Sequence, residues 1–323
     1  MYIVTGGAGM IGSAMIWKLN EMGITDIIVV DNLACTEKWK NLVNRTYEEY
    51  IHRDTFLEMV MHDQLPWEVD AVIHMGACSS TTEKDADFLM ENNLQYTKAM
   101  CELALMNDAR FINASSASTY GDGQFGFEDS LETMKKLKPL NMYGYSKQLF
   151  DLWAARTGRL DKIASLKFFN VYGPNEYHKG NMKSVVCKAF YEIGETKEMK
   201  LFKSYHPDYP HGGQKRDFVY VKDCVEAMWW LLENPQANGI FNFGTGTART
   251  WNELANSVFA AMDIESNISY IEMPEILRGK YQYFTEAPMK RLQDAGCPVK
   301  FRSLEEGAKD YVQNYLAQED PYL

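Results

Sequence analysis

Short apolar runs alternate with longer stretches of helical periodicity through the first half of the chain. Tyr2-Ile-Val-Thr5 is the first run, and a helical pattern from Ser13 to Met22 follows it. Ile27-Ile-Val-Val-Asp31 reads as the next strand. Asp70-Ala-Val-Ile-His74 reads as a buried strand, and the stretch from Ala86 to Met106 as a long helix. Arg110-Phe-Ile-Asn-Ala114 and Leu166-Lys-Phe-Phe-Asn170 are further strands, with a helix predicted between them from about Met142 to Arg156. Strands that alternate with helices predict a parallel sheet covered on both faces.

The pattern changes after Gly173. Residues 174–215 are polar, aromatic and lysine-rich, with several Pro and Gly, and are assigned mostly to a substrate-binding lobe. Asp217-Phe-Val-Tyr-Val221 and Ile240-Phe-Asn-Phe243 read as strands returning to the first domain. Thr250-Trp-Asn-Glu253 is a capping box that starts a helix, and a last helix is predicted near Leu304 to Leu316. The expected fold class is α/β: a doubly wound parallel sheet of the Rossmann kind with a smaller α/β substrate-binding lobe. The first domain is expected over residues 1–172 plus about 216–248. The lobe is expected over about 173–215 plus about 249–323, with part of the last segment returning to the first domain.

The turn between the first strand and the first helix carries Gly6-Gly-Ala-Gly9-Met-Ile-Gly12. Strand, glycine turn and helix in this order are the context of a dinucleotide site. Gly6 permits the tight turn, Gly9 lets backbone N–H groups approach a pyrophosphate, and Gly12 allows close packing. The helix start offers its positive end to the phosphates. Asp31 ends the second strand about twenty residues on, where the adenosine ribose lies in such folds. An acid there favours NAD, yet Asn32, Lys38 and Arg53 are near enough in sequence to serve a 2′-phosphate. The strand ends collect further polar residues: Gly76-Ala-Cys-Ser-Ser-Thr-Thr82, Ser115-Ser116 and Asn170-Val171.

Tyr143 and Lys147 lie four apart on the predicted helix 142–156 and therefore share a face. A nearby ammonium favours phenolate, so Lys147 is expected to lower the Tyr143 pKa and make it a base toward an alcohol. Composition narrows the partners. A formal charge of −11 argues against nucleic acid and against an anionic membrane surface. The densest apolar run, Ala227-Met-Trp-Trp-Leu-Leu232, is far short of a membrane span. With the first strand starting at Tyr2, no signal peptide is expected. The six cysteines form no Cys-x-x-Cys pair and read as free thiols of a reducing cytosol. The histidines show no ligand spacing, so no metal is expected.

Taken together, Gly6-x-x-Gly9-x-x-Gly12, Tyr143-x-x-x-Lys147, Phe169-Asn-Val-Tyr-Gly-Pro174 and Arg216-Asp-Phe-Val-Tyr-Val-x-Asp223 resemble the extended short-chain dehydrogenase/reductase superfamily of nucleotide-sugar enzymes. Three runs narrow the resemblance to the ADP-L-glycero-D-manno-heptose 6-epimerase family. They are Gly76-Ala-Cys-Ser-Ser-Thr-Thr-Glu83, Tyr172-Gly-Pro-Asn-Glu-Tyr-His-Lys-Gly180 and Arg278-Gly-Lys-Tyr-Gln-Tyr-Phe-Thr285. The likeness covers almost the whole chain.

The resemblance implies NADP as cofactor, which gives Lys38 and Arg53 their task. Met10, Ile11, Asp31 and Asn32 match cofactor positions, as do Met75, Gly76, Ala77, Cys78 and Ser79. Asn92, Lys147 and Val171 complete that set. Asn170, Asn181, Lys188, Phe202, Lys203, Ser204, Tyr205, Arg216 and Tyr281 match positions that hold the ADP-sugar. Tyr143 and Lys179 match the two catalytic bases, and Ser116 is preferred over Ser115 to hold the sugar oxygen. Met10 stands where phenylalanine is expected, and Asn181 and Lys188 where serine and histidine are. The run 205–213 lengthens a binding loop.

The implied reaction is epimerisation at C6 of the heptose in ADP-heptose, through a transient ketone that is reduced on its opposite face. The resemblance also implies a cytoplasmic enzyme of lipopolysaccharide core synthesis and a homo-oligomer such as a pentamer. A 4,6-dehydratase would need acids after the serine, and Ser116-Ala-Ser-Thr-Tyr120 has none. A 4-epimerase of another nucleotide sugar stays open. A non-catalytic NADP sensor is disfavoured because the Tyr143/Lys147 pair is kept.

Overall fold

The computed structural model describes residues 1–278 and 281–323. Gly279 and Lys280, within the run Arg278–Thr285, lie outside the described residues. Strands β1 (Tyr2–Thr5), β2 (Ile27–Asp31), β3 (Glu49–His52), β4 (Ala71–His74), β5 (Arg110–Ser116) and β6 (Ala164–Phe168) come in chain order. Four short strands follow: β7 (Asn170–Tyr172), β8 (Met199–Phe202), β9 (Lys215–Arg216) and β10 (Phe218–Tyr220). Next come β11 (Gly239–Phe243), β12 (Arg249–Thr250) and β13 (Ile268–Ile271).

Seven strands form the central sheet in the order β11-β6-β5-β4-β1-β2-β3, with every neighbouring pair parallel. The expected doubly wound sheet is therefore present. Its strands bury both faces, which is why they read as unbroken apolar runs. Along β2, Ile27 and Val29 join one core and Ile28 and Val30 the other, as strand alternation requires. The helices Met10–Glu21 and Val221–Glu233 pack together on the first face. The helices Tyr96–Met106 and Met142–Arg156 cover the second. Strand order reverses between β1 and β4, and ligands of such sheets bind beyond the carboxyl ends at that point.

A third core gathers the helices Val185–Thr196, Trp251–Ala261 and Leu304–Tyr311 around β8. Val186, Ile193, Leu254, Phe259 and Tyr311 are its buried contacts. β8 pairs in parallel with β13. The capping box at Thr250 and Glu253 is formed.

Several elements differ from the sequence reading. The helix expected over Ala86–Met106 contains a π segment, Met90–Gln95. The last helix likewise ends in a π segment, Val312–Leu316. The strand read as Leu166–Asn170 breaks at Phe169. Its N–H bonds to the Phe243 carbonyl at 2.9 Å, and β7 then leaves the sheet to pair with β10. The polar stretch 174–215 holds a twelve-residue helix, Val185–Thr196, capped by Ser184. β3 and the helices Arg53–Met61 and Val221–Glu233 were not among the expected elements. Cys35, Cys78, Cys101, Cys187, Cys224 and Cys297 are unpaired thiols. No helix among the described residues is long and apolar enough to cross a membrane, and the described residues hold no cluster of metal-ligating side chains.

Candidate active site

The site begins at the glycine turn. Gly6 has φ of +64°, and a Cβ there would fall 2.6 Å from the Gly76 backbone. A Cβ on Gly12 would fall 2.1 Å from the Gly6 carbonyl oxygen. These two positions admit only glycine. The Gly9 N–H closes the turn onto the Gly6 carbonyl at 2.9 Å. Gly9 then starts the helix Met10–Glu21, and no side chain caps that start. Its first N–H groups are therefore available to an anion, and the turn fits a dinucleotide pyrophosphate.

Asp31 is committed to the turn. Its carboxylate accepts the Ala8 N–H at 2.8 Å, its own neighbour's N–H (Asn32) at 2.6 Å, and the Lys38 ammonium at 2.6 Å. Lys38 thus neutralises the acid that would otherwise repel a 2′-phosphate. Arg53 donates to the Asn92 side chain. A cavity of about 160 Å³ collects Asp31, Asn32, Lys38, Arg53, Gly76, Ala77, Cys78 and Asn92.

A larger cavity of about 680 Å³ continues from it past Gly6, Asp31, Lys38, Gly76 and Ala77. Gly9, Met10, Ile11, Gly12, Met75, Ser79, Lys147 and Val171 line it on the turn side. Ser116, Tyr143, Asn170 and Lys179 line it as well. All the expected cofactor positions and the four proposed catalytic residues therefore face two connected cavities.

Within the large cavity the helix start at Asn141 fixes the tyrosine. Asn141 caps through the Gly144 N–H at 2.8 Å, one turn before Lys147. Lys147 is buried and donates to the Ala114 carbonyl at 2.7 Å. Burial pushes its pKa down to about 8, against the pull of Asp151. Tyr143 departs from the expectation: burial pushes its phenol up, not down, and its hydrogen bond with Ser116 only partly offsets this. Desolvation dominates, and the Lys147 ammonium is directed at the Ala114 carbonyl.

The two serines separate cleanly. Ser115 lines the cavity too, but its hydroxyl is turned to Asp151, to which it donates at 2.7 Å. There Asp151 also accepts from Ser165 at 2.6 Å and pairs with Lys167 at 3.0 Å. Lys167 donates in addition to Thr119 at 2.6 Å. Ser116 remains beside Tyr143.

Lys179 lies across the cavity on the short 3₁₀ turn Tyr177–Met182. Its ammonium reaches the Met10 sulfur at 3.5 Å. Burial lowers its pKa, and Glu176 pulls it back up. His178, next to it, is pushed down to about 4 by burial and by Lys179 and Lys38, so it is neutral near pH 7.

The expected sugar-binding positions are dispersed. Asn170 alone of them lines the cavity. The Lys188 ammonium turns back onto the Asn181 carbonyl at 2.6 Å. Lys203 pairs with Glu272 at 2.7 Å. The Ser204 N–H donates to His211 at 3.1 Å, and the Tyr205 N–H to the Tyr283 hydroxyl at 3.2 Å. Phe202 ends β8. Arg216 is buried, 5.4 Å from the Tyr281 ring and 6.0 Å from Trp251. It donates to the Lys215 carbonyl at 2.8 Å and to the Gln282 carbonyl. Asp217 and Asp223 are not its partners: Asp217 accepts from Thr245, Gly246 and Ala287, and Asp223 pairs with Arg302. Trp251 joins this group to the cavity, because its indole donates to Tyr281 at 2.9 Å while it lines the cavity itself.

Sequence reasoning missed Asn93 and Trp251. Asn93 is fully buried on the π segment. It holds the Cys78 N–H at 2.9 Å, the Cys78 carbonyl at 3.0 Å and Ser146 at 3.1 Å, joining the β4 loop to the Tyr143 helix. A π segment shows no signal in side-chain periodicity, though such bulges recur at functional sites. Trp251 was signalled only indirectly, as the first residue after a capping Thr250.

The family described as NAD dependent epimerase/dehydratase matches residues 2–244. A protein of Nitratidesulfovibrio vulgaris (strain DP4), named ADP-L-glycero-D-manno-heptose-6-epimerase, is 71% identical over all of both chains. A protein of the same name from Fusobacterium nucleatum subsp. nucleatum is 50% identical, again over all of both. Among solved structures, Helicobacter pylori ADP-L-glycero-D-manno-heptose-6-epimerase aligns with a TM-score of 0.82 at 27% identity. It covers 98% of this chain and 96% of its own. The UDP-glucose 4-epimerase of Thermus thermophilus, in complex with NAD, aligns at 0.73 with 25% identity, covering 95% and 96%.

Proposed function

The chain belongs to the NAD dependent epimerase/dehydratase family and, within it, to the ADP-L-glycero-D-manno-heptose 6-epimerases, and we propose that it converts ADP-D-glycero-β-D-manno-heptose to ADP-L-glycero-β-D-manno-heptose. It is an epimerase, an isomerase acting on a carbohydrate. The observation that carries the reading is that Tyr143 and Lys179 line one cavity together with the glycine turn.

C6 of the heptose bears a hydrogen that no side chain can remove as a proton. When bound, the nicotinamide cofactor supplies the hydride acceptor and donor that take this carbon to a ketone and back. Gly6, Gly9 and Gly12 would hold the pyrophosphate, and Lys147 the nicotinamide ribose. We propose NADP as the cofactor, with Lys38 and Arg53 on the 2′-phosphate; the pairing of Lys38 with Asp31 supports this. Each face of the ketone needs its own proton carrier. Burial favours the neutral form of both candidates. Tyr143 is thereby poised to give a proton to an oxygen gaining charge, and Lys179, its hold on the proton loosened by burial, to exchange one at the other face. Ser116 holds the oxygen beside Tyr143. Asn170 meets the sugar, and Arg216, Trp251 and Tyr281 take the nucleotide end. Residues 1–172 and about 216–248 form the cofactor domain, from which Ser116, Tyr143, Asn170 and Arg216 reach the substrate, and the remaining residues form the lobe that completes the sugar site. A cytoplasmic location and a homo-oligomeric state belong to the same proposal.

The test is an NMR assay of the purified protein with ADP-D-glycero-β-D-manno-heptose and, separately, UDP-galactose. Inversion at C6 of the first and no change in the second is expected. Turnover of UDP-galactose alone would replace this reading with a 4-epimerase.

A further inference from the structure

Lys179 has little of its own to hold it. No carboxylate among the described residues forms an ion pair with it, its nearest polar contact is the Met10 sulfur, and the turn beneath it contains Gly180 at φ of +53°. Its position must come from what anchors the loop.

The buried Glu176 carboxylate ties the loop locally to Gly173 and Ser184, and two sets of longer contacts fasten it to the rest of the molecule. The first is Asn175, fully buried and held at φ of +70°. Its amide donates to the Ser13 hydroxyl at 2.9 Å, and Ser13 donates to the Gly9 carbonyl at 2.7 Å. The Asn175 carbonyl accepts from Asn41 at 3.0 Å, and the same Asn41 amide reaches the Ala8 carbonyl at 2.8 Å. The loop is thus fastened directly to the glycine turn. The second is the segment Asp320–Leu323. The Leu323 N–H donates to the Asn175 side chain at 3.0 Å. The Tyr177 hydroxyl donates to the Pro321 carbonyl at 2.7 Å, and the Tyr177 and Tyr322 rings meet edge to face at 5.2 Å. On the far side, Arg45 donates to the Leu323 carbonyl at 2.5 Å and Asn44 to Asp320 at 3.1 Å. The Leu323 side chain is buried in the first core.

We propose that residues 320–323 and Asn175 form a strap that positions Lys179 over the cofactor turn, so that Asn175 is a positioning residue for the epimerisation. This rests on the catalytic role given to Lys179 above. A loop displacement of about 1 Å is enough to lose ~10²-fold in rate. The strap also makes the Lys179 side of the site depend on the glycine turn, so the two halves of the cavity are set together.

Two full-length variants test this: deletion of residues 320–323, and Asn175→Gly, which keeps the positive φ while removing both side-chain hydrogen bonds. Each is assayed for kcat and KM with ADP-heptose, for bound cofactor, and for labelling of individual lysines by trinitrobenzenesulfonate mapped by mass spectrometry. We expect kcat to fall by ~10–100-fold, with Lys179 labelling clearly raised, Lys147 labelling unchanged and cofactor retained. Unchanged Lys179 labelling in Asn175→Gly overturns the strap, whatever the deletion does to folding. Equal rises at Lys147 and Lys179 also overturn it, because they report general loosening. Raised Lys179 labelling with normal kcat overturns Asn175 as a positioning residue for the epimerisation, leaves the strap a structural tie alone, and removes Lys179 from the mechanism.

Discussion

Lys147 and Lys179 are both withdrawn from water, but by different means. Lys147 stands on the fifteen-residue helix Met142–Arg156, with Tyr143 one turn before it and Asp151 one turn after. Its floor is β5 and β6, tied together through Asp151, Ser115, Ser165 and Lys167. Lys179 stands on a six-residue 3₁₀ turn fastened by residues more than a hundred positions away. A helix fixes spacing by its own backbone, so the first arrangement follows from local sequence. The second exists only after the chain has folded, because the hydrogen bonds that fasten it to the glycine turn and to residues 320–323 are long-range, even though Glu176 also ties it locally to Ser184.

The largest effect expected is on the helix side. Tyr143→Phe should lose ~10²–10⁴-fold in kcat, the usual contribution of a general acid–base group. Bound cofactor should stay, since Tyr143 only lines the cavity and the glycine turn is untouched. Near-normal turnover of this variant would remove Tyr143 from the reaction and leave Lys179 as the sole proton carrier.

Next in size is a stability effect beneath Lys147. Lys167 and Asp151 are 1% and 0% exposed. Lys167→Met strands a carboxylate in the core, and breaking such a pair from one side costs about 3–5 kcal/mol. Urea denaturation should register a loss of that size, against a much smaller loss for Asn175→Gly. If the two variants lose equal stability, the contrast between a built floor and a strapped loop fails.

This contrast also explains what could be read from the sequence. Gly6, Gly9 and Gly12 were legible because a turn between strand and helix leaves few alternatives. Tyr143 and Lys147 were legible because helical spacing places them on one face. Lys179 was visible only by resemblance, since a lysine between His178 and Gly180 says nothing of Asn175 or Leu323. Asn93 was illegible because the π segment Met90–Gln95 shifts the face on which it falls. The direction of the Tyr143 pKa was misread for a related reason: spacing gives the distance to an ammonium, but not the Ala114 carbonyl that occupies it.

A change of pH probes the helix side more gently. Burial holds Lys147 at about 8, and Asp151, followed by Cys78, pulls it upward. Lys147 is charged below that value and neutral above it. The kcat/KM profile, which reports the free enzyme, should therefore fall above about pH 8. Asp151→Asn should move that fall to lower pH. The sign for stability is opposite. The folded value lies below the ordinary lysine value of 10.5, so the unfolded chain binds more protons between the two. The contribution of Lys147 to stability accordingly rises with pH across that window. A profile flat to pH 10 would mean that the charge on Lys147 does not matter to cofactor or substrate.

The smallest expected effect falls on a device in the lobe that is as local as the Tyr143 helix. Thr250 accepts the Glu253 N–H at 3.0 Å, and the Glu253 carboxylate returns to the Thr250 N–H at 2.7 Å. Arg249 also pairs with Glu253 at 3.0 Å, so the carboxylate would remain held if the hydroxyl were lost. Thr250→Ala therefore removes a single cap, at a cost of about 1 kcal/mol. The helix it starts carries Trp251, which lines the cavity and donates to Tyr281. Fraying of the first turn would loosen the indole, so KM for ADP-heptose should rise modestly while kcat holds. Lys179 should keep its low reactivity, because its loop is fastened to Asn175 and not to this helix. If Thr250→Ala instead lowered kcat and exposed Lys179, the lobe would move as one piece, and the independence of the strapped loop from its neighbours would be lost.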